Sequence, residues 1–292
     1  DTVSWYGQIS VSAPNIDGHG KGLELEWKRL TIESERFFLR YRHPWMFDKP
    51  LTLKVEFGRE VVEGNYQLIH GDLGFQWQMN HLRSIGFQYM NDQSLITHEG
   101  QLLNSDWQSN KAQLLGINFA HLALNESLHS GVSLRLSISQ ELNFEPSSIR
   151  RFKMRSQVAF PLARKMYLEQ RSDWVLQQAE LLNVDPAILF PLGGLHSVRG
   201  NEEDLIRSTN TASFRHDLVY SFGANSSIFV LYDIGLYEEI SEIRALSGYG
   251  LGIEVDSGLG PIKLILASHA GLSFQNSFFH IQYSEGIPWI NR

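Results

Sequence analysis

The sequence predicts an all-β, antiparallel fold, and three observations predict it. Segments of about ten residues with apolar side chains at every second position recur from end to end, the period of a strand with one apolar face. Helical periodicity is nearly absent. The 292 residues are 42% hydrophobic and 20% charged, with 24 glycines, 9 prolines and 12% aromatics, a composition that folds and that excludes a disordered polymer or a collagen-like repeat. Length alone allows one large all-β domain or two average ones, so pattern has to decide.

Taken in order, the first strand is expected near Val3 to Ser12. In "LTLKVEF", Leu51, Leu53, Val55 and Phe57 alternate with Thr52, Lys54 and Glu56, which makes one face oily and the other polar. "GVSLRLSISQEL" repeats this with Val132, Leu134, Leu136 and Ile138 against Ser133, Arg135, Ser137 and Ser139. "SIFVLYDIGLY" sets Ile228, Val230, Tyr232 and Ile234 against Asp233, and "GYGLGIEVD" sets Tyr249, Leu251, Ile253 and Val255 against Gly250, Gly252, Glu254 and Asp256. In the last strand, "SFFHIQYSEG", Phe279, Ile281 and Tyr283 share the apolar face, with His280 and Gln282 on the other. The longest break between strands runs from about Gln178 to Thr211, past the length at which a structureless loop is expected to be functional.

Two architectures share this pattern. In a soluble sandwich or barrel that binds a ligand, the apolar face is the core. In an outer-membrane barrel it meets lipid, and the polar face lines a wet lumen. Two features favour the second. The polar faces carry opposite charges close together, as with Lys153 and Arg155 near Glu169, Arg171 and Asp173. Aromatics (Tyr6, Trp27, Trp45, Trp77, Trp107, Trp174 and Trp289) stand at strand ends, where an interfacial girdle needs them. The segments number about fifteen, whereas bacterial single-chain barrels usually have even counts. The expected barrel therefore has sixteen strands, one of them before Asp1 or outside this chain.

Composition also excludes. No run of about 18 apolar residues exists, so no transmembrane helix is predicted. The net charge of -7, with basic residues scattered, offers no stripe for nucleic acid. Without cysteine there is no disulfide, thiolate site or thiol nucleophile. "DTVSWYGQIS" lacks the regions of a signal peptide, which implies a removed signal or a fragment. Ser197 beside His196 is no nucleophile elbow, because Leu195 and Arg199 stand where glycines belong. The Gly248–Gly250–Gly252 run lies in a strand and not before a helix, so it is no dinucleotide fingerprint. The eleven histidines show no metal-ligand spacing. No catalysis, metal or cofactor is expected.

Four local matches remain: "YRHPWMFDKPLTL" (Tyr41 to Leu53), "GGLHSVRG" (Gly193 to Gly200), "FVLYDIGLY" (Phe229 to Tyr237) and "GYGLGIEVDSGLGPIKLILA" (Gly248 to Ala267). With their order, and with five strands after the long loop (near 212 to 222, 228 to 237, 248 to 256, 261 to 269 and 277 to 284), they resemble the BamA/TamA superfamily of outer-membrane assembly and translocation barrels, of the bacterial surface antigen type. The resemblance covers essentially the whole chain, 1 to 292, as a single barrel domain. It implies that the loop of residues 177–211 folds into the lumen and that Arg199, between Val198 and Gly200, meets acids on the following strands. An arginine taken out of bulk water needs charge-assisted carboxylate partners to offset its desolvation. Asp233 matches the family's aromatic-x-Asp-x-Gly position. The family's second acid falls at Val219, and Asp217, two residues away on the same face, is expected to substitute. Asn201 stands where the family has an aromatic, and Glu202, Glu203 and Asp204 read as a solvated acidic turn. Gly248, Gly250 and Gly252 are expected to kink the wall and make room for the loop.

The resemblance also implies function: insertion of other barrels into the bacterial outer membrane, or passage of polypeptide across it. The route would be a lateral seam between the first strand and the last one, with Phe279, Ile281 and Tyr283. Implied partners are unfolded outer-membrane proteins and the lipid bilayer. Periplasmic POTRA domains, absent from this chain, and accessory lipoproteins or a TamB-like protein complete the set. A two-partner-secretion-like transporter and a passive channel constricted by Arg199 are the alternatives.

Overall fold

The computed structural model describes residues 7–13, 15–29, 34–62, 64–103, 105, 109–125, 130–142, 149–178, 189–222, 226–239, 242–256, 261–269 and 277–283. Fifteen of its strands form one large antiparallel sheet, joined in chain order except where Met166–Gln178 pairs directly with Thr211–Ser221. They are β1 (Gly7–Ala13), β2 (Gly22–Arg29), β3 (Glu35–His43), β4 (Leu51–Val62), β5 (Tyr66–Gln78), β6 (Arg83–Ile96), β7 (Asn110–Asn125), β8 (Ser130–Glu141), β9 (Arg150–Ala163), β10 (Met166–Gln178), β13 (Thr211–Ser221), β14 (Ser227–Glu239), β15 (Glu242–Asp256), β16 (Pro261–Ser268) and β17 (Ser277–Tyr283). The break between β10 and β13 is not structureless, since β11 (Phe190–Leu192) and β12 (Ile206–Ser208) pair as a short hairpin of their own. A short helix, α1 (His98–Leu103), follows β6, and among the described residues no helix is long and apolar enough to cross a membrane.

The alternation seen in the sequence has its physical outcome in exposure. Large apolar side chains stand outward on every second residue: Phe87 is 64% exposed, Ile138 63%, Val230 55% and Ile281 65%. A soluble sandwich would bury these and wet the polar positions between them. The reverse is found, which removes the sandwich reading and leaves a sheet whose oily face suits hydrocarbon.

Two compact units are separable. In the first (Asp1–Phe119, Ser137–Arg151 and Gln178–Ile188), the polar face carries a ladder of charges. Arg40 lies opposite both Glu24 and Glu56, with its guanidinium 2.9 Å from Glu56 and 3.3 Å from Glu24. Asp92 takes His70 Nδ1 at 2.5 Å and Arg151 at 3.3 Å. Met90, Ala112, Leu114 and Ile149 form a buried apolar cluster in this unit.

The expected aromatic girdle is partly described. Trp27 and Trp77 lie near strand ends, Trp45 is 63% exposed in the turn before β4, and Trp174 packs edge-to-face on Phe214 at 5.2 Å. Tyr6, Trp107 and Trp289 lie outside the described residues, as do residues 3 to 6 of the expected first strand and the side chain of Tyr283.

The second unit (Ala120–Leu136, Phe152–Gln177 and Leu189–Arg292) holds the long loop and the five strands after it. Its sheet is not polar on one face. Phe229 and Leu231 share the face of Asp233 and are 4% and 1% exposed, packed with Val219, Ile265 and Ala267. The expectation of one oily and one polar face thus fails here, because the inner face of this stretch is itself apolar and packed, with Leu195 against it. Tyr167 and Leu195 complete the cluster, and Leu195 belongs to the loop.

Candidate functional site

The loop between β11 and β12 is held in shape by its own residues before it meets the wall. Ser197 Oγ donates to the Gly193 carbonyl and accepts the Gly193 N–H, both at 2.8 Å. The Ser197 hydroxyl, considered above as a nucleophile, is thus a turn-closing group. Glu203 is not simply solvated, since its Oε2 accepts the Leu195 N–H at 3.2 Å. Asp204 sits 3.7 Å from Arg207.

This framework delivers Val198, Arg199 and Gly200 to the face of β13, β14 and β15. Register explains why these strands receive them. Asp233 on β14 stands opposite Arg215 on β13 and Gly248 on β15, and Asp217 lies two residues beyond Arg215 on the same face. The Arg199 guanidinium spans both acids. Nε and Nη2 donate to the two oxygens of Asp233, each at 2.7 Å, while Nη1 and Nη2 donate to Asp217 at 3.2 and 2.6 Å. The Arg199 backbone N–H adds a further bond to Asp233 at 2.9 Å. Val219, at the family's second acid position, is instead buried in the apolar cluster.

All three groups are out of water: Arg199 is 4% exposed, Asp217 9% and Asp233 0%. Burial alone disfavours the guanidinium's charge, yet the hydrogen bonds it donates to Asp233 and the field of Asp217 outweigh it and hold the Arg199 pKa above its ordinary value. Paired bidentately, the charges tolerate burial, and removal of one partner from such a set costs roughly 3–5 kcal/mol.

Side-chain volume sets the rest of the fit. Gly248 has no Cβ, and one added there would collide with the Arg199 carbonyl. Gly200 has φ +87°, in the left-handed region, and a Cβ on it would lie 2.7 Å from the Ser268 backbone. Val198 is 0% exposed, and its Cγ2 fills the space that a side chain on Gly235 would occupy. Gly250 and Gly252 make room for the Leu266 carbonyl and the Phe229 ring, not for the loop. Between β14 and β15 the register runs unbroken from Ser227↔Glu254 to Glu239↔Glu242, so no bulge kinks this wall. The glycines act through close approach.

Three contributors escaped the sequence reading. Asn201, 3% exposed, donates from Nδ2 to the Ser247 carbonyl at 3.1 Å. His269 Nδ1 donates to the Gly200 carbonyl at 2.9 Å, and Ser268 is fully buried below Gly200. Only the apolar residues at both parities in "IFVL" carry a signal, since apolar residues on the second face of an otherwise amphipathic strand imply that this face is packed as well. Among the described residues no group of three His, Asp or Glu side chains is placed to hold a metal.

No curated protein matches this chain in sequence. Solved structures do. BamA from Haemophilus ducreyi lacking POTRA domains 1–3 is similar with a TM-score of 0.65 at 14% identity, over 94% of this chain and 66% of that one. CdiB from Acinetobacter baumannii is similar with a TM-score of 0.63 at 15% identity, over 94% and 55%. CdiB from Escherichia coli gives 0.63 at 12%, over 95% and 57%. The chain thus spans less than two thirds of each of these proteins, and the likeness shows a common fold, the antiparallel barrel. In sequence, the Omp85 superfamily domain matches residues 15–276, nearly the whole chain, and the protein therefore belongs to the Omp85 superfamily.

Proposed function

We propose that this protein is a bacterial outer-membrane barrel of the BamA/TamA kind, which inserts or translocates polypeptide clients without catalysing a reaction. The observation that carries this reading is the Arg199 cluster: a loop fixed by five hydrogen bonds to two buried acids inside a superfamily barrel. In this reading the loop lies in the lumen and stiffens the wall next to the final strands. The working edge is β17, where Phe279 and Ile281 are 60% and 65% exposed and a strand edge offers unpaired N–H and C=O groups to an incoming strand. Tyr283 ends that strand. Unfolded outer-membrane proteins are the clients, lipid is the surrounding phase, and POTRA domains with accessory lipoproteins or a TamB-like protein are the periplasmic partners.

A dedicated polypeptide transporter is the second reading, favoured by fold likeness to CdiB nearly equal to that to BamA. Depletion of the protein in its host, followed by quantification of the outer-membrane proteome, separates them. Broad loss of β-barrel proteins supports assembly. Loss of one or a few surface proteins supports dedicated transport, and an unchanged membrane rejects both.

A further inference from the structure

A cavity of about 70 Å³ adjoins the Arg199 cluster, with Arg199 and Asp217 in its wall and further cations that the clamp does not use. Arg171 and Arg215 line it from β10 and β13, Lys263 from β16 and His196 from the loop. Arg171 and Arg215 stand directly opposite each other in the register, an arrangement of like charges that destabilises a sheet unless something between them compensates.

The two acids on the cavity wall are already committed, Glu169 to Arg171 and Asp217 to Arg199, so neither serves Arg215. Glu169 Oε1 already takes Arg171 Nε at 2.7 Å and Gln157 Nε2 at 2.6 Å, and both oxygens of Asp217 are engaged by Arg199. The remaining cations are loosely matched. Arg215 reaches Asp173 only at 3.5 Å, and its buried Nε has no acceptor among the described residues. Lys263 is 3.9 Å from Glu254, with its ammonium over the Phe229 ring at 4.5 Å. Donor capacity therefore points into a small polar space with too few acceptors, which is costly for buried groups.

We propose that this cavity binds a compact tetrahedral oxyanion of the phosphate class, held between Arg215 and Lys263 with Arg171 and His196 at its rim. The donors approach from two walls and from the loop above, so an oxyanion with oxygens in several directions matches them better than a planar carboxylate, which has two. Such an anion joins the strands to the loop at a point separate from the Arg199 bonds, and it gives Arg215 the counter-charge that Glu169 already gives Arg171. The inference holds whether the protein assembles or secretes its clients.

The test uses the purified protein in a neutral, phosphorus-free detergent. Isothermal titration with inorganic phosphate is expected to show one saturable site, weakened about ten- to hundredfold in Arg215→Gln and in Lys263→Gln, as loss of a charge-assisted bond implies. Micelles containing phosphatidic acid form a parallel arm. Saturable binding there and none with free phosphate assigns the site to a lipid headgroup and still supports the proposal. Lys263→Gln removes a half-buried cation and keeps the test open if Arg215→Gln fails to fold. Absence of saturable binding in both arms overturns the proposal. So does unchanged binding in the Lys263 variant, or an equal effect from chloride at matched ionic strength.

Discussion

Arg199 divides its bonds unequally: Asp233 accepts three from it and Asp217 two. Asp233→Asn is therefore expected to destabilise the barrel more than Asp217→Asn, read as the midpoint of heat-modified gel mobility. Equal midpoints would contradict the ranking. Arg199→Ala strands both carboxylates and should cost roughly 3–5 kcal/mol, with little recovered by Arg199→Lys, because an ammonium has no planar fork to serve two acids. Gly248→Ala places a methyl on the Arg199 carbonyl and should cost about 1–3 kcal/mol, the usual penalty for overpacking. Gly71→Ala is the matched control, since its nearest neighbour would be 3.9 Å away, and its midpoint should stay close to that of the unmodified protein.

Strands show which parts of the architecture were legible. Alternation in "LTLKVEF" and "GVSLRLSISQEL" is enough to place β4 and β8, because burial on one face acts on every second residue. It fails in β14, where Phe229 and Leu231 are buried beneath the loop and Val230 faces outward. Coverage of that face comes from Leu195, thirty or more positions earlier in the chain, so no local period reports it. Asn201 and His269 were invisible for the same reason: each bonds a backbone carbonyl, and a backbone carbonyl has no sequence. Leu231→Ala is expected to cost about 2–5 kcal/mol by opening a cavity under the loop, whereas Val230→Ala on the outward face should shift the midpoint little. Similar losses in the two variants would mean that the inner cluster is not a core.

For the whole molecule, the proposed function makes the loop an obstruction as well as a strut. Arg199→Ala should raise single-channel conductance in planar bilayers together with any loss of client assembly, and a rise with assembly intact would favour the passive channel. The cluster also has a chronology. Arg199 and Asp233 are 34 positions apart, and Gly200 and His269 are 69 apart. A chain made from its N-terminus presents the arginine first, without counter-charge, and the acids, glycine and histidine that receive it arrive afterwards with β13 to β16. Completion of the last strands is thus written into the electrostatics of an earlier segment: an unfinished barrel carries an uncompensated cation, and a finished one does not.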